Sequence, residues 1–170
     1  MLPTVQTTEL TERVHFREQI LRLEGMLKEL QNRGEIPSIE SECKLTHHFA
    51  PINGQYGCCT YAREIFLPKG SIVIGKIHKH EHLNFIMKGK VSVATEFGKK
   101  YFEAPCVFVS ELGLKRAVYA EEDTIWVTVH LTQYNSEADL DKIEDEVIAK
   151  TYEELGLISA TQASTLIGEN

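Results

Sequence analysis

Residues 78 to 89 read His-Lys-His-Glu-His-Leu-Asn-Phe-Ile-Met-Lys-Gly, and this stretch indicates both a strand and a metal site. His78, His80 and His82 occupy alternate positions, which a β-strand projects to one face. Neutral imidazole is a good ligand for transition metals. The triplet therefore predicts a site for a divalent transition metal such as Zn, Fe, Mn or Ni.

The spacing of the three histidines limits how they can share one ion. Alternate residues of a strand are roughly 6.5–7 Å apart, so all three imidazoles reach one metal only where the strand bends or bulges. Two narrower arrangements also stay open. His78 and His82 can close around a bend, or His78 and His80 can bind together with a ligand from elsewhere. His130, at the end of a later strand, can supply an extra ligand, although a structural role at the barrel mouth is the favoured interpretation.

The composition is that of a globular protein and disfavours several functional classes. The chain has 170 residues, of which 42% are hydrophobic and 25% are charged, and this fits one domain with appended helices. The net charge is −7 without any block of Lys or Arg, so nucleic acid is not an expected partner. No apolar run has the length of a membrane span, and no signal peptide is recognisable, which predicts no membrane partner and a cytoplasmic location.

The N-terminal part, residues 1–36, is predicted to be an arm followed by an amphipathic helix. The arm covers residues 1–8, and the helix runs from Glu9 to Arg33, with acidic side chains in its first turn where the helix dipole favours them. The apolar side chains recur at helical spacing and form one seam: Phe16, Ile20, Leu23, Leu27 and Leu30. This seam can pack on the chain's own domain, or it can pair subunits, which predicts a homo-oligomer.

The rest of the chain changes its period twice. Residues 37–133 contain many short strand-like segments separated by turns, a pattern typical of an antiparallel sandwich or barrel. Residues 134–170 return to a helical period and form a C-terminal helical extension and tail, with Ser136 as the expected cap of its first helix.

The histidine stretch resembles the first signature of the cupin superfamily. That signature has a His-x-His pair, then a Glu, six further residues and a Gly. His78 and His80 match the pair, and Gly89 matches the closing glycine. His82 stands where the Glu belongs, and the gap before it is shortened. The resemblance implies an all-β fold, a cupin-like antiparallel jelly-roll barrel, with the predicted helices at its two ends.

The second cupin signature, a Pro-x-Gly-x-x-His turn, is matched only in part. Gly113 is present, but Arg116 occupies the place of the fourth metal ligand. A guanidinium is always cationic and does not bind metal ions, although it can hold an anion beside one. We expect Arg116 to be solvent-accessible and to contact an anionic ligand, with Tyr61 and Tyr119 as further substrate-binding groups.

The run from Gly113 to Thr132 also looks like small cupin-like proteins encoded by tailed bacteriophages, mostly without an assigned activity. This resemblance implies a setting in the host cytoplasm or the virion, with other phage structural proteins as partners. Two functions stay open. The first is a metal-dependent protein that binds or acts on a small, anionic molecule. The second is a non-catalytic accessory or virion structural protein that uses the barrel for interaction and assembly.

Overall fold

The computed structural model describes residues 4–51 and 57–157, without the side chains of residues 4–8, 39 and 40. The helices are α1 (Thr4–Asn32), α2 (Ile39–Glu42) and α3 (Leu140–Val147). The strands are β1 (Lys44–Pro51), β2 (Cys59–Leu67), β3 (Ile72–Ile74), β4 (Ile77–His78), β5 (His82–Lys88), β6 (Lys90–Thr95), β7 (Gly98–Glu103), β8 (Cys106–Ser110), β9 (Ala117–Ala120), β10 (Thr124–Thr132) and β11 (Ile148–Ala149). The prediction of an antiparallel all-β fold with helical segments at both ends is confirmed.

The strands form three antiparallel sheets. The five-stranded sheet has the order β1-β2-β10-β5-β8, the four-stranded sheet has the order β3-β9-β6-β7, and β4 pairs with β11. Side chains from the two larger sheets meet in one apolar core: Cys43, Leu67, Ile86, Val91, Val93, Val118, Ala120 and Trp126. The two larger sheets therefore face each other across a shared interior.

The alternation of β10 shows how the sequence assigns each side chain to a face. Trp126 and His130 are buried in the interior, whereas Leu131 is 63% exposed on the other side. Its neighbours continue this outer side with apolar residues, because Val129 lies opposite Leu83 in β5, and Leu83 lies opposite Val109 in β8. We call this surface the outer apolar face; it comprises Leu83, Phe85, Val107, Val109, Val127, Val129 and Leu131.

Two glycines shape the chain on either side of the histidine stretch. The backbone N–H of Gly75 donates to the Arg116 carbonyl at 2.8 Å, and a Cβ at Gly75 would lie 3.0 Å from Cγ of Arg116. The break at Gly75 separates β3 from β4. Gly89 turns the chain between β5 and β6 at φ +82°, where a Cβ would collide with the Asp123 carbonyl.

The N-terminal helix begins earlier than expected. Because α1 starts at Thr4, the predicted extended arm is wrong for residues 4–8, and residues 1–3 lie outside the described part of the chain. Glu9 therefore sits beyond the first helical turn. No helix within the described ranges is long and apolar enough to cross a membrane.

Helix α1 packs against its own domain. Ile20 is buried, and the other members of the predicted seam are half-buried. Val14, which lies outside that seam, is buried as well. Arg13 and Arg17 both pair with Glu96 in the turn between β6 and β7, with Arg13 Nη2 2.9 Å from its carboxylate. Further along the helix, Glu24 accepts from Lys115 at 3.0 Å. These contacts favour the first role of the seam, packing on the chain's own domain.

The C-terminal extension returns to the strand that carries the first histidine. Oγ of Ser136 accepts from the Ala138 N–H at 3.2 Å, so the predicted cap is confirmed, although it opens a 3-10 turn that leads into α3. After α3, strand β11 pairs with β4 and places Ile148 opposite His78. This strand was not predicted, because two residues carry no periodicity.

Candidate metal centre

Three histidines from three different strands meet in the interior. His78 ends β4, His82 begins β5, and His130 lies in β10 next to β5. One ring nitrogen from each can be chosen so that all three lie within 4.8 Å of one another. His82 and His130 are only 5% and 4% exposed. We call this group, His78, His82 and His130, the histidine cluster.

A bend in the chain brings His78 and His82 together. Residues 79–81 form a bend between β4 and β5. This is the arrangement in which His78 and His82 close around a bend. Backbone hydrogen bonds hold it on both sides, because the Lys79 N–H donates to the Val147 carbonyl at 2.9 Å and the Gly113 N–H donates to the His78 carbonyl at 2.8 Å. The cluster therefore depends on the C-terminal extension as well as on the sheet.

The ring of His82 is oriented by its neighbours. Its Nδ1 lies 3.3 Å from the His80 carbonyl, to which an Nδ1–H donates, and this tautomer makes Nε2 the acceptor nitrogen, with Nη2 of Arg116 3.5 Å away. Asn84 is fully buried and fixes the strand beneath, because its amide donates to the His82 carbonyl at 3.2 Å and accepts from the Trp126 indole at 2.9 Å. Hydrogen bonds of this kind set which nitrogen of a histidine is available to a metal.

The rings of His78 and His130 present buried nitrogens without partners. Nδ1 of each is shielded from solvent and has no hydrogen-bond partner among the residues that the structure describes. A buried polar atom without a partner is costly, and native structures have few of them. A bound ion would satisfy such an atom where that nitrogen is the metal ligand. Metal–nitrogen distances of about 2.0–2.1 Å keep two ligand atoms at most about 4 Å apart, so binding draws the three rings together.

Burial keeps the cluster neutral. Desolvation, followed by the charge of Arg116, lowers the pKa of His82 to about 4. Desolvation and the neighbouring His82 lower the pKa of His130 to about 3, and the pKa of His78 is lowered strongly for the same reasons. Neutral imidazoles keep their lone pairs at pH 7, which is the state that binds metal.

The cluster differs from the predicted set by one residue. The structure does not bring the His80 side chain into the cluster; its ring lies edge-on to His130 at 5.5 Å, and its carbonyl orients His82 instead. His130, which was interpreted as structural, takes part. One signal was available in the sequence: His130 lies four residues after Trp126 and so shares its inward face.

Arg116 lies beside the cluster, but it is buried rather than solvent-accessible. It is 6% exposed, and its guanidinium stacks over the Trp126 ring at 5.5 Å. Nη2 donates to the Ser110 hydroxyl and lies 3.5 Å from Nε2 of His82. Burial lowers the pKa of Arg116 to about 10, which leaves it cationic at neutral pH. The expected solvent-accessible position is therefore wrong, although the position next to the histidines agrees with the sequence-based expectation.

The two tyrosines named from the sequence lie in different places. Tyr61 is buried, shares a hydrogen bond with Nδ1 of His47 at 2.7 Å, and stacks near His130 with 6.4 Å between ring centres. Burial raises its pKa. Tyr119 is 44% exposed on β9, between the inward residues Val118 and Ala120. Tyr119 therefore lies on the face opposite to the interior, and its role in substrate binding stays a prediction.

The neutral cluster makes the stability of the metal-free protein depend on pH. An unfolded histidine has a pKa of about 6.5, so below that pH the unfolded chain takes up protons that folded His82 and His130 refuse. Above pH 7 we expect these groups to make a constant contribution to the free energy of unfolding. It should fall between about pH 6.5 and 4, by on the order of 3 kcal/mol for His82 alone.

Urea unfolding of the metal-free protein at several pH values measures this slope. The variants His82→Gln and His15→Gln provide the comparison, because His82 is buried and His15 is exposed. His82→Gln should flatten the acid slope and His15→Gln should keep it. A slope unchanged by His82→Gln would show that His82 does not cause the loss of stability in acid.

Comparisons with known proteins give remote likenesses. No protein-family model matches the chain, and no curated protein matches its sequence. Among solved structures, KdgF from Halomonas sp. is 14% identical with a TM-score of 0.43, covering 59% of this chain and 87% of its own. Ectoine synthase from P. lautus is 10% identical with a TM-score of 0.46, covering 61% and 72%. A cupin-2 domain containing protein from Shewanella frigidimarina is 13% identical with a TM-score of 0.39, covering 50% and 78%.

Proposed function

We propose that this chain is a cupin-like protein that binds a divalent transition metal (Zn, Fe, Mn or Ni) through His78, His82 and His130, with a small anionic molecule beside the ion. The observation that carries the metal site is the convergence of three neutral imidazoles, two of them buried and that of His78 half-buried, with buried nitrogens on His78 and His130 that have no partner among the described residues. Three imidazoles with open coordination positions are a common arrangement of catalytic metal sites.

The anion follows from the charges around the site. Arg116 is a buried cation next to His82, and no carboxylate from the described residues pairs with it. A divalent ion at the cluster adds positive charge within a poorly solvated interior, where like charges repel strongly. A small anion between the ion and the guanidinium removes this repulsion, and Arg116 can hold it with charge-assisted hydrogen bonds. Tyr61, on the other side of His130, is a further candidate contact.

The test is a thermal-denaturation comparison of the metal-free and metal-loaded protein. Acetate, oxalate, phosphate and chloride are added to each form at matched ionic strength. We expect carboxylates or phosphate to raise the melting temperature of the metal-loaded protein and to leave the metal-free protein nearly unchanged. Equal stabilisation of both forms, or no stabilisation by any anion, would count against an anion site at the metal.

A second candidate function is assembly without catalysis, and the outer apolar face favours it. Val107, Val109 and Leu131 are each about 60% exposed within this face, and contiguous exposed apolar surface is typical of interaction sites. We propose that a second copy of the chain covers it. The similarity of residues 113–132 to phage proteins makes the host cytoplasm or the virion the proposed setting, with other phage structural proteins as further partners.

Light scattering tests self-association. The Leu83→Lys variant places a charge in the middle of the outer apolar face, so it should yield smaller particles than the wild type. Arg22→Gln on the exposed side of α1 is the matched control. A monomeric wild type, or identical particles for wild type and Leu83→Lys, would remove the support for assembly.

A further inference from the structure

A second arginine faces the histidine cluster from the opposite side. Arg63 lies in β2, opposite Thr128 of β10, and Tyr61 two residues earlier lies opposite His130. Alternation gives Arg63 the inward face that Tyr61 occupies. It lies close enough for its charge to lower the pKa of His130, as the charge of Arg116 also does.

Arg63, like Arg116, lacks the counter-charge that Arg17 and Lys115 have. Arg17 pairs with Glu96, and Lys115 pairs with Glu24. The side chain of Arg63 makes no hydrogen bond or ion pair in the part of the chain that the structure describes. Burial lowers its pKa, so part of its hydration has been lost without a partner to replace it.

The five-stranded sheet offers no acid to balance these charges. No inward position of its described strands carries a carboxylate, and Arg63 is the charged residue among these inward positions. The inward residues are Leu45, His47 and Phe49 in β1; Cys59, Tyr61, Arg63, Ile65 and Leu67 in β2; Thr124, Trp126, Thr128, His130 and Thr132 in β10; His82, Asn84 and Ile86 in β5; and Cys106, Phe108 and Ser110 in β8. With a metal bound, the interior holds the ion and two guanidinium groups. No carboxylate at a described inward position of this sheet balances those charges.

The order of the strands places the two guanidinium groups apart. Arg63 is on β2, His130 on β10, His82 on β5, and Ser110, the partner of Arg116, on β8. Neighbouring strands are about 4.8 Å apart, so β2 and β8 are separated by about 14 Å. The histidines lie between them. The two arginines therefore approach the histidine cluster from β2 and from beside β8, and a ligand with an anionic group at each end can contact both.

We propose that Arg63 is a second anion-binding residue of the site, and that the ligand is a short dicarboxylate held at its ends by Arg63 and Arg116 with the metal between. This inference rests on the proposed metal site. A structural role is the competing explanation. Glu144 of α3 lies near enough for its charge to act on Arg63, although its carboxylate pairs with Lys76.

The experiment measures binding of a series of acids to the zinc-loaded protein by calorimetry. Acetate and propionate are compared with malonate, succinate and glutarate. We expect at least one dicarboxylate to bind the wild type about 10- to 150-fold more tightly than the monocarboxylates, because it gains one charge-assisted contact. Arg63→Gln should remove that gain and leave monocarboxylate binding within about 2-fold. Glu144→Gln should preserve the gain.

Zinc content and the control variants distinguish a failure of the metal site from a failure of the proposed role of Arg63. Zinc content is determined for every variant, and Arg22→Gln serves as an exposed control that should behave like the wild type. If the wild type binds zinc but binds mono- and dicarboxylates equally tightly, the role of Arg63 is overturned and the metal site is not. The same holds if the gain in dicarboxylate affinity survives in Arg63→Gln. If Glu144→Gln and Arg63→Gln both lose the gain in dicarboxylate affinity, Arg63 acts as the structural partner of Glu144. Absence of zinc from the wild type would overturn the metal site and this inference together.

Discussion

Replacing His130 by alanine should abolish tight metal binding, whereas replacing His80 by alanine should leave most of it. His130 contributes one of three ligand nitrogens, and sites of this type derive roughly 10 kcal/mol or more from their ligands together. Losing one therefore costs about 3 kcal/mol, or a loss of affinity of more than about 100-fold. His80 contributes its backbone carbonyl to His82, and alanine keeps that carbonyl. We expect a change below about 10-fold for His80→Ala.

Competition titration with a chromophoric chelator measures both affinities. Circular dichroism and thermal unfolding of the metal-free variants show whether the fold is retained. His47→Ala is a further comparison, because its half-buried imidazole contacts Tyr61 rather than the cluster. The reverse result, loss of metal in His80→Ala with retention in His130→Ala, would restore the set predicted from alternation along one strand.

The second large effect is expected at Arg116, where stability and binding should separate. Methionine fills a similar volume without charge, and replacing a buried charge by an apolar side chain is often neutral or stabilising by about 1–4 kcal/mol. Arg116→Met also loses the hydrogen bond to Ser110. We therefore expect the metal-free protein to be no less stable than wild type. Anion binding to the metal-loaded protein should fall about 10- to 150-fold, the effect of one charge-assisted contact.

Urea unfolding and anion titration are carried out on the same preparations. Arg33→Met is the matched control, because the exposed side chain of Arg33 pairs with the exposed Glu35. It should change neither property. A loss of more than about 1 kcal/mol in Arg116→Met, with anion binding intact, would show that Arg116 is a structural residue of the interior.

Local patterns predicted the fold class and two of the three histidines of the cluster. The alternation in β10 and the short strands between turns depend on neighbours in sequence, so antiparallel β-structure could be predicted without knowing any partner strand. The place of Arg116 beside the histidines came from its position in a partly matched motif. His78 and His82 were found because five residues of chain carry both of them, and the required bend is present.

Non-local pairing determined what the sequence could not show. His130 reaches the cluster because β10 lies between β2 and β5, an order that no local period encodes. Arg63 passed unnoticed for the same reason, since only the register with β10 places it next to His130. The burial of Arg116 depends on Trp126 and Ser110, which meet it from β10 and β8. The start of α1 at Thr4 was missed because polar threonines carry little helical signal.

The metal content of the untagged wild-type protein tests the central claim most directly. The protein is purified without chelators, then incubated with Zn, Fe, Mn and Ni in separate samples, desalted and measured by elemental mass spectrometry. The site formed by His78, His82 and His130 predicts close to one transition-metal ion per chain for at least one of these metals, and a loss of that ion in His78→Ala/His82→Ala. Protein that remains folded and holds no metal after all four incubations would contradict it.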